Sequence, residues 1–188
     1  MQERAISPHL INKETMDPID VEAYFTWIFE SYYKRIYNYA SYRVNCHYTA
    51  EDLTSQIFEK TMKKIDTFSH GKAPFEVWLF AIARNVVNDY FRSQKRRRLF
   101  SLDGFKELVS GRKGPERLAI EGEVNDSLQQ ALEALSARER NLIALKFGAQ
   151  LKNTEIAELL HITVDNVGVI LYRSMKKLRK TLGSVELE

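Results

Sequence analysis

The sequence predicts an all-α protein of two small helical domains joined by a flexible linker, the second domain ending in a short helix, a tight turn and a longer helix. Three observations carry that expectation. Apolar residues recur at steps of three and four through most of the 188 residues, the spacing of one helix face. Between residues 99 and 122 that period lapses, and Gly104, Ser110, Gly111, Gly114 and Pro115 interrupt any regular element, with room for one short amphipathic turn around Phe105 and Leu108. Residues 20–98 lack the alternating strand and helix pattern of an α/β chain. The bounds that follow are a flexible tail at 1–16, a first domain at 17–98, a linker at 99–126, a second domain at 127–182 and a short tail at 183–188.

The first domain opens with Asp17 as N-cap and Pro18 in the first helical position, where a missing N–H costs nothing. Val21, Tyr24, Phe25, Ile28, Tyr32, Ile36 and Tyr39 mark one face of a helix that reaches about Val44. So many aromatics could line a ligand pocket, but at helical spacing they read as core. Thr49 and Asp52 have the T-x-x-D capping spacing and open a second helix with Leu53, Ile57, Met62 and Ile65 inward. Asp52, Gln56 and Glu59 share its exposed stripe, which reads either as a solvated face or as a seat for a basic partner. The loop DTFSHGKAP at 66–74 could hold an unstacked base or be a plain connection.

The third helix organises the domain. Phe75, Trp78, Leu79, Ile82, Val86 and Tyr90 form its apolar face, while Arg84, Asn85, Asn88, Asp89 and Arg92 lie opposite. Lys95, Arg96, Arg97 and Arg98 extend the polar side past the last apolar anchor. Basic residues at a helix C-terminus can simply offset the macrodipole. A second basic helix near the other end of the chain favours a polyanionic partner instead.

In the second domain, Leu128, Ala131, Leu132 and Leu135 give a first helix, and Ser136 with Glu139 forms a capping box ahead of Leu142, Ile143 and Phe147. Gly148 reads as a C′ stop. Asn153 or Thr154 caps a short helix carrying Ile156, Ala157, Leu159 and Leu160, and a turn at His161 and Ile162 follows. Thr163 caps the last helix, with Val164, Val167, Leu171 and Leu178 inward and Asn166, Val169, Tyr172, Arg173, Lys176 and Lys177 outward. Short helix, tight turn and longer basic helix make a helix-turn-helix, whose second helix enters the major groove.

Charge and composition narrow the function classes. The net charge is only +3, yet basic residues gather at 92–98 and 173–180. Cys46 is alone, so no internal disulfide forms, and it reads as a buried apolar residue rather than a reactive thiol. His9, His47, His70 and His161 show no zinc spacing with it, and no cofactor or metal is expected. No apolar run reaches the roughly 18 residues that cross a bilayer, and the first twenty residues lack a signal-peptide core, so membrane insertion is not expected and the cytoplasm is.

From about Asp20 to Leu182 the chain resembles an extracytoplasmic-function sigma factor, the small two-domain class of bacterial RNA polymerase specificity subunits. The residues carrying the resemblance are AEDLTSQIFEKTM at 50–62, FEVWLFAIARNVVNDYFRSQKRR at 75–97, LSARERNLIALKF at 135–147 and TEIAELLHITVDNVGVILYRSMKKLRK at 154–180. The resemblance implies a non-enzymatic factor that joins core RNA polymerase and promoter DNA and answers to an anti-sigma factor, with no small-molecule substrate. It makes Asp52, Gln56 and Glu59 the polymerase contact. Asn85 becomes a reader of a flipped base of the minus-ten element, with Arg92, Lys95, Arg96 and Arg97 on its phosphates. Asn166, Val169, Tyr172, Arg173, Lys176 and Lys177 become the minus-thirty-five contacts.

Two departures bear on that carry-over. His161 stands at a turn where the family often has glycine, and histidine tolerates positive φ better than most residues. Gly168, Val169 and Ile170 occupy a part of the last helix where the family often has polar side chains, which shifts readout toward Tyr172, Arg173, apolar contact and DNA shape. Two rivals are a DNA-binding regulator independent of polymerase and a nuclease or recombinase. The first would need a receiver-like α/β pattern before the helix-turn-helix. The second would need converging carboxylates or a nucleophilic tyrosine, whereas Glu51 and Asp52 are helix neighbours that diverge.

Overall fold

The computed structural model describes residues 18–69, 71–101 and 122–185, and their helices follow the predicted order. Helices α1 (Pro18–Val44), α2 (His47–Lys64) and α3 (Phe75–Ser101) form the first module. Helices α4 (Gly122–Glu133), α5 (Ala137–Ile143), α6 (Asn153–Leu160) and α7 (Val164–Val185) form the second, with a π-helical turn at Ala144–Gly148 after α5. Asp17, His70, the proposed turn around Phe105 and Leu108, and most of the predicted linker lie outside the described residues. At the linker's two ends α3 runs on to Ser101 and α4 begins at Gly122.

The α1 stripe behaves as core: Tyr24, Ile28, Ile36 and Tyr39 are buried against Leu53 and Ile57 of α2 and Leu79 and Phe80 of α3. Each large side chain so placed contributes about 2 kcal/mol of apolar burial. On α3 the buried arc is broader than one stripe. Phe80, Ala83 and Val87 are buried beside the predicted Leu79, Ile82 and Val86, whereas Trp78 and Tyr90 are half-buried. The reason is that α3 packs on α1 and α2 and also on α6 of the second module.

The two modules therefore touch directly. Gly148 is buried where the chain passes the α1 backbone, and a Cβ there would stand 2.9 Å from Asn38 C and Tyr39 N. Its φ is not positive, so its role is close approach and not the C′ stop the sequence predicts; Gln150, at φ 58, takes the left-handed position instead. Around that contact Arg35 Nε donates to Ala149 O at 2.8 Å and Arg140 Nε to Tyr42 O at 2.6 Å. Asn45 Nδ2 donates to Glu133 Oε1 at 2.6 Å. At the centre lies Arg43, 7% exposed, which donates through Nη1 to Tyr39 Oη at 3.1 Å and to Asn141 Oδ1, and through Nη2 to Asn88 Oδ1 at 3.2 Å.

Several helix ends differ from the sequence reading. Thr49 caps nothing, because Asn45, at φ 57, ends α1 and turns the chain so tightly that α2 starts at His47 with Cys46 as N-cap. That position leaves Cys46 exposed, not buried. Lys152, not Asn153 or Thr154, precedes the first turn of α6, and its N–H donates to Glu155 Oε2 at 2.7 Å. The capping box at Ser136 and the Thr163 cap form as predicted, the latter accepting from Asn166 N at 3.2 Å. His161 sits at φ 53, ψ 48 as the turn requires. Val164 is 43% exposed, because the buried stripe of α7 starts one turn later at Val167 and continues through Leu171, Ser174 and Leu178.

A methyl group at Gly148 has only backbone to displace, so Gly148→Ala is expected to weaken docking of the modules by about 1–3 kcal/mol. Small-angle scattering should show a larger radius of gyration with unchanged far-ultraviolet helicity.

Candidate nucleic-acid interface

Three surfaces emerge from the residues singled out by sequence. On α2, Asp52, Gln56 and Glu59 are all exposed along one stripe. The stripe is less purely acidic than the sequence implies. Lys63 pairs with Glu59 one turn back and holds its carboxyl below the usual range. Glu51, beside the stripe, pairs with His47 at 3.2 Å.

The second surface is a cleft of about 330 Å³ between the end of α2 and the middle of α3, lined by Lys60, Lys63, Lys64, Ile82, Asn85, Asn88, Asp89 and Arg92. Asn85 and Arg92, both predicted, come together here, and Asp89 partly neutralises Arg92 at 3.3 Å. The three lysines were missed. Their signal was present as KTMKK, where steps of three and four put three ammonium groups at one helix end. Lys95, Arg96 and Arg97 do not line the cleft; they stand exposed further along α3 and lengthen its basic edge. Arg84 and Asn88, read as part of the same polar face, border the second module, where Asn88 accepts from Arg43. The base of the 66–74 loop is fixed by Phe68, whose ring lies 5.2 Å from Phe75 and 5.4 Å from Trp78.

The third surface is the outer face of α7. Asn166, Val169, Tyr172, Arg173 and Lys176 are exposed on it, Tyr172 the most at 71%. Lys177 is engaged elsewhere: its Nζ donates to both carboxylate oxygens of Glu139, at 2.7 and 3.0 Å. Glu139 also accepts from the Ser136 hydroxyl and N–H, and these bonds hold its carboxyl down at about 2. Among the described residues no group of three or more His, Cys, Asp or Glu could hold a metal ion, and no helix is long and apolar enough to cross a membrane.

Glu139 is depressed from 4.5, so its stabilisation is complete above that value and is lost as pH falls toward about 2. Glu139→Gln should melt below the wild type at pH 7, and thermal scans should show the gap narrowing through that window. Ser136→Ala, which removes the cap, is expected to cost about 1 kcal/mol in denaturant titrations.

Sequence comparison matches residues 28–97 to sigma-70 region 2 and residues 125–178 to sigma-70 region 4. Among curated proteins, the extracytoplasmic-function RNA polymerase sigma factor BldN of Streptomyces coelicolor is 30% identical over 161 residues, covering 84% of this chain and 60% of BldN. SigW of Bacillus subtilis is 28% identical, covering 84% of this chain and 88% of SigW. SigX of the same organism is 27% identical, covering 85% and 84%. Among solved structures, the sigma factor RpoE in complex with the anti-sigma factor NepR from Bartonella quintana superposes with a TM-score of 0.66 at 22% identity, over 85% of this chain and 96% of that one. CnrH, in complex with the cytosolic domain of CnrY, gives 0.62 at 19% identity, over 87% and 90%. These two likenesses show the fold.

Proposed function

The chain belongs to the sigma-70 family of RNA polymerase sigma factors, in its extracytoplasmic-function group, and we propose how its three surfaces divide the work of promoter-specific initiation. The exposed α2 stripe of Asp52, Gln56 and Glu59 seats region 2 on core RNA polymerase. The cleft beside it takes an unstacked base of the minus-ten element against Asn85. Lys60, Lys64 and Arg92, with Lys95, Arg96 and Arg97 beyond them, hold the neighbouring phosphates. Helix α7 lies in the major groove of the minus-thirty-five element, with Arg173 and Lys176 on polar edges and phosphates, and Val169 and Tyr172 on thymine methyls and groove shape. Lys177 contributes through Glu139 to the placement of α7 more than to DNA directly. Polymerisation is the work of the core enzyme, and the place of action is the cytoplasm. The solved neighbour RpoE is in complex with the anti-sigma factor NepR, and a partner of that class is proposed here too.

One observation carries this reading: a basic cleft on α3 and an exposed recognition helix on α7 occupy separate modules of one chain, alongside an acidic stripe that no DNA contact explains. Run-off transcription with purified core enzyme on genomic fragments tests it. Selective transcripts are expected only when the protein is added, and their absence, together with failure to bind core enzyme, would refute it.

Asp52→Arg combined with Gln56→Ala should weaken core binding by about tenfold or more while leaving helicity intact. Arg96→Ala with Arg97→Ala removes two phosphate contacts, and the slope of log affinity against log salt for promoter DNA should become shallower by about 2.

A further inference from the structure

Between the modules lies a second pocket, of about 470 Å³ and open to solvent on one side, with an electrostatic peculiarity. Arg43 and Arg84 line it from the first module and Arg138 from the second, and none of the lining residues is acidic. Arg43 is 7% exposed, and its hydrogen-bond acceptors, Tyr39, Asn88 and Asn141, are all neutral. Arg84 and Arg138 have neither a hydrogen-bond nor an ion-pair partner among the described residues. Arg140, outside the lining, is lowered by burial and, to a smaller degree, by Arg43, with Glu133 opposing both, and its Nη2 is buried without an acceptor. Docking the modules thus gathers guanidinium groups from both sides with no carboxylate in the cavity wall to offset them. Leu160 and Ile162 add an apolar wall to the same space.

We propose that this cavity is a binding site for a small phosphorylated molecule bearing a ring, whose phosphates bridge Arg43 and Arg84 of region 2 to Arg138 of region 4 while the ring lies on Leu160 and Ile162. Guanidinium forks match phosphate oxygens in pairs, and the volume lies within the range of small-ligand sites. The NH2 groups of Asn88 and Asn141, whose Oδ1 atoms are taken by Arg43, also line the pocket and supply orienting donors. Because the site exists only while the modules are docked, the ligand stabilises the docked arrangement. That matters for initiation. Elements about 25 base pairs apart lie about 85 Å apart along B-DNA at 3.4 Å per step, whereas docked α3 and α6 are in contact. A ligand that holds the modules together therefore opposes reading both elements at once, a consequence that rests on the sigma-factor reading.

Calorimetric titration of the full chain, alone, with ATP, inorganic pyrophosphate and adenosine separates this site from that reading, since neither polymerase nor DNA is present. Saturable binding is expected for ATP, weaker binding for pyrophosphate and none for adenosine. Arg138→Ala, at an exposed position that cannot unfold the chain, should weaken ATP by about tenfold or more, and Arg84→Ala likewise. Gly148→Ala, which leaves every cation in place but parts the two halves, should weaken it too. Removing two exposed lysines elsewhere, Lys34→Ala with Lys72→Ala, should leave it unchanged. Absence of saturable ATP binding, equal affinity in the arginine variants, or binding only of an acidic peptide such as oligoglutamate would overturn the proposal.

Discussion

A guanidinium removed from water has to be given acceptors, and the architecture of this protein turns on how that is done for Arg43. Its partners come from three helices: Tyr39 on its own α1, Asn88 on α3 and Asn141 on α5. The first two belong to region 2 and the third to region 4, so the charge is fully accommodated only when the modules meet. Tyr39 Oη in turn donates to Asn141 at 3.1 Å, which closes the network. Leaving a buried donor unmatched costs about 1–3 kcal/mol. That penalty, together with the backbone approach at Gly148, favours one docking geometry over nearby alternatives.

The same constraint explains the unusual load on α3. One helix supplies core residues to region 2, an amide and an arginine to the module interface, and an amide and an arginine to the cleft beside α2. It can do so because its 27 residues extend about 40 Å, and positions a few residues apart face different neighbours. Leu79, Phe80, Ala83 and Val87 face protein, Asn85 and Arg92 face the cleft, and Lys95 to Arg97 lie past both in solvent.

What the sequence could reveal was decided by the range of the interaction. Ser136 with Glu139 and Thr163 with Asn166 are contacts across three residues, and both were legible. His161 was legible because a tight turn between two helices leaves few backbone conformations. Gly148 was misread: a glycine after an apolar run resembles a helix stop, and only the passage of Asn38 and Tyr39, some 110 positions earlier, gives it another purpose. Arg43 carried no signal, since its acceptor Asn141 is 98 residues away. Within the candidate site, Asn85 and Arg92 stood out because α3 is amphipathic. Lys60, Lys63 and Lys64 did not, because they sit on α2 and gain meaning only from the helix packed beside them.

With the two promoter elements read by the two modules as proposed, docking and promoter engagement are linked through one equilibrium. If only a fraction of molecules has its modules apart, the apparent affinity for any partner needing separated modules falls by that fraction. Tying the modules with a buried arginine and a close backbone contact thus sets a threshold that core enzyme or DNA must overcome with binding energy of its own. The interface is well suited to such a threshold because its central guanidinium, Arg43, is held by neutral side chains and not by a carboxylate. Arg43 can exchange Asn141 for water when region 4 leaves, at a cost modest beside the phosphate contacts that separate modules can make. Reciprocity then requires that whatever stabilises the docked form weakens promoter binding by the same factor, and that DNA weakens it in return.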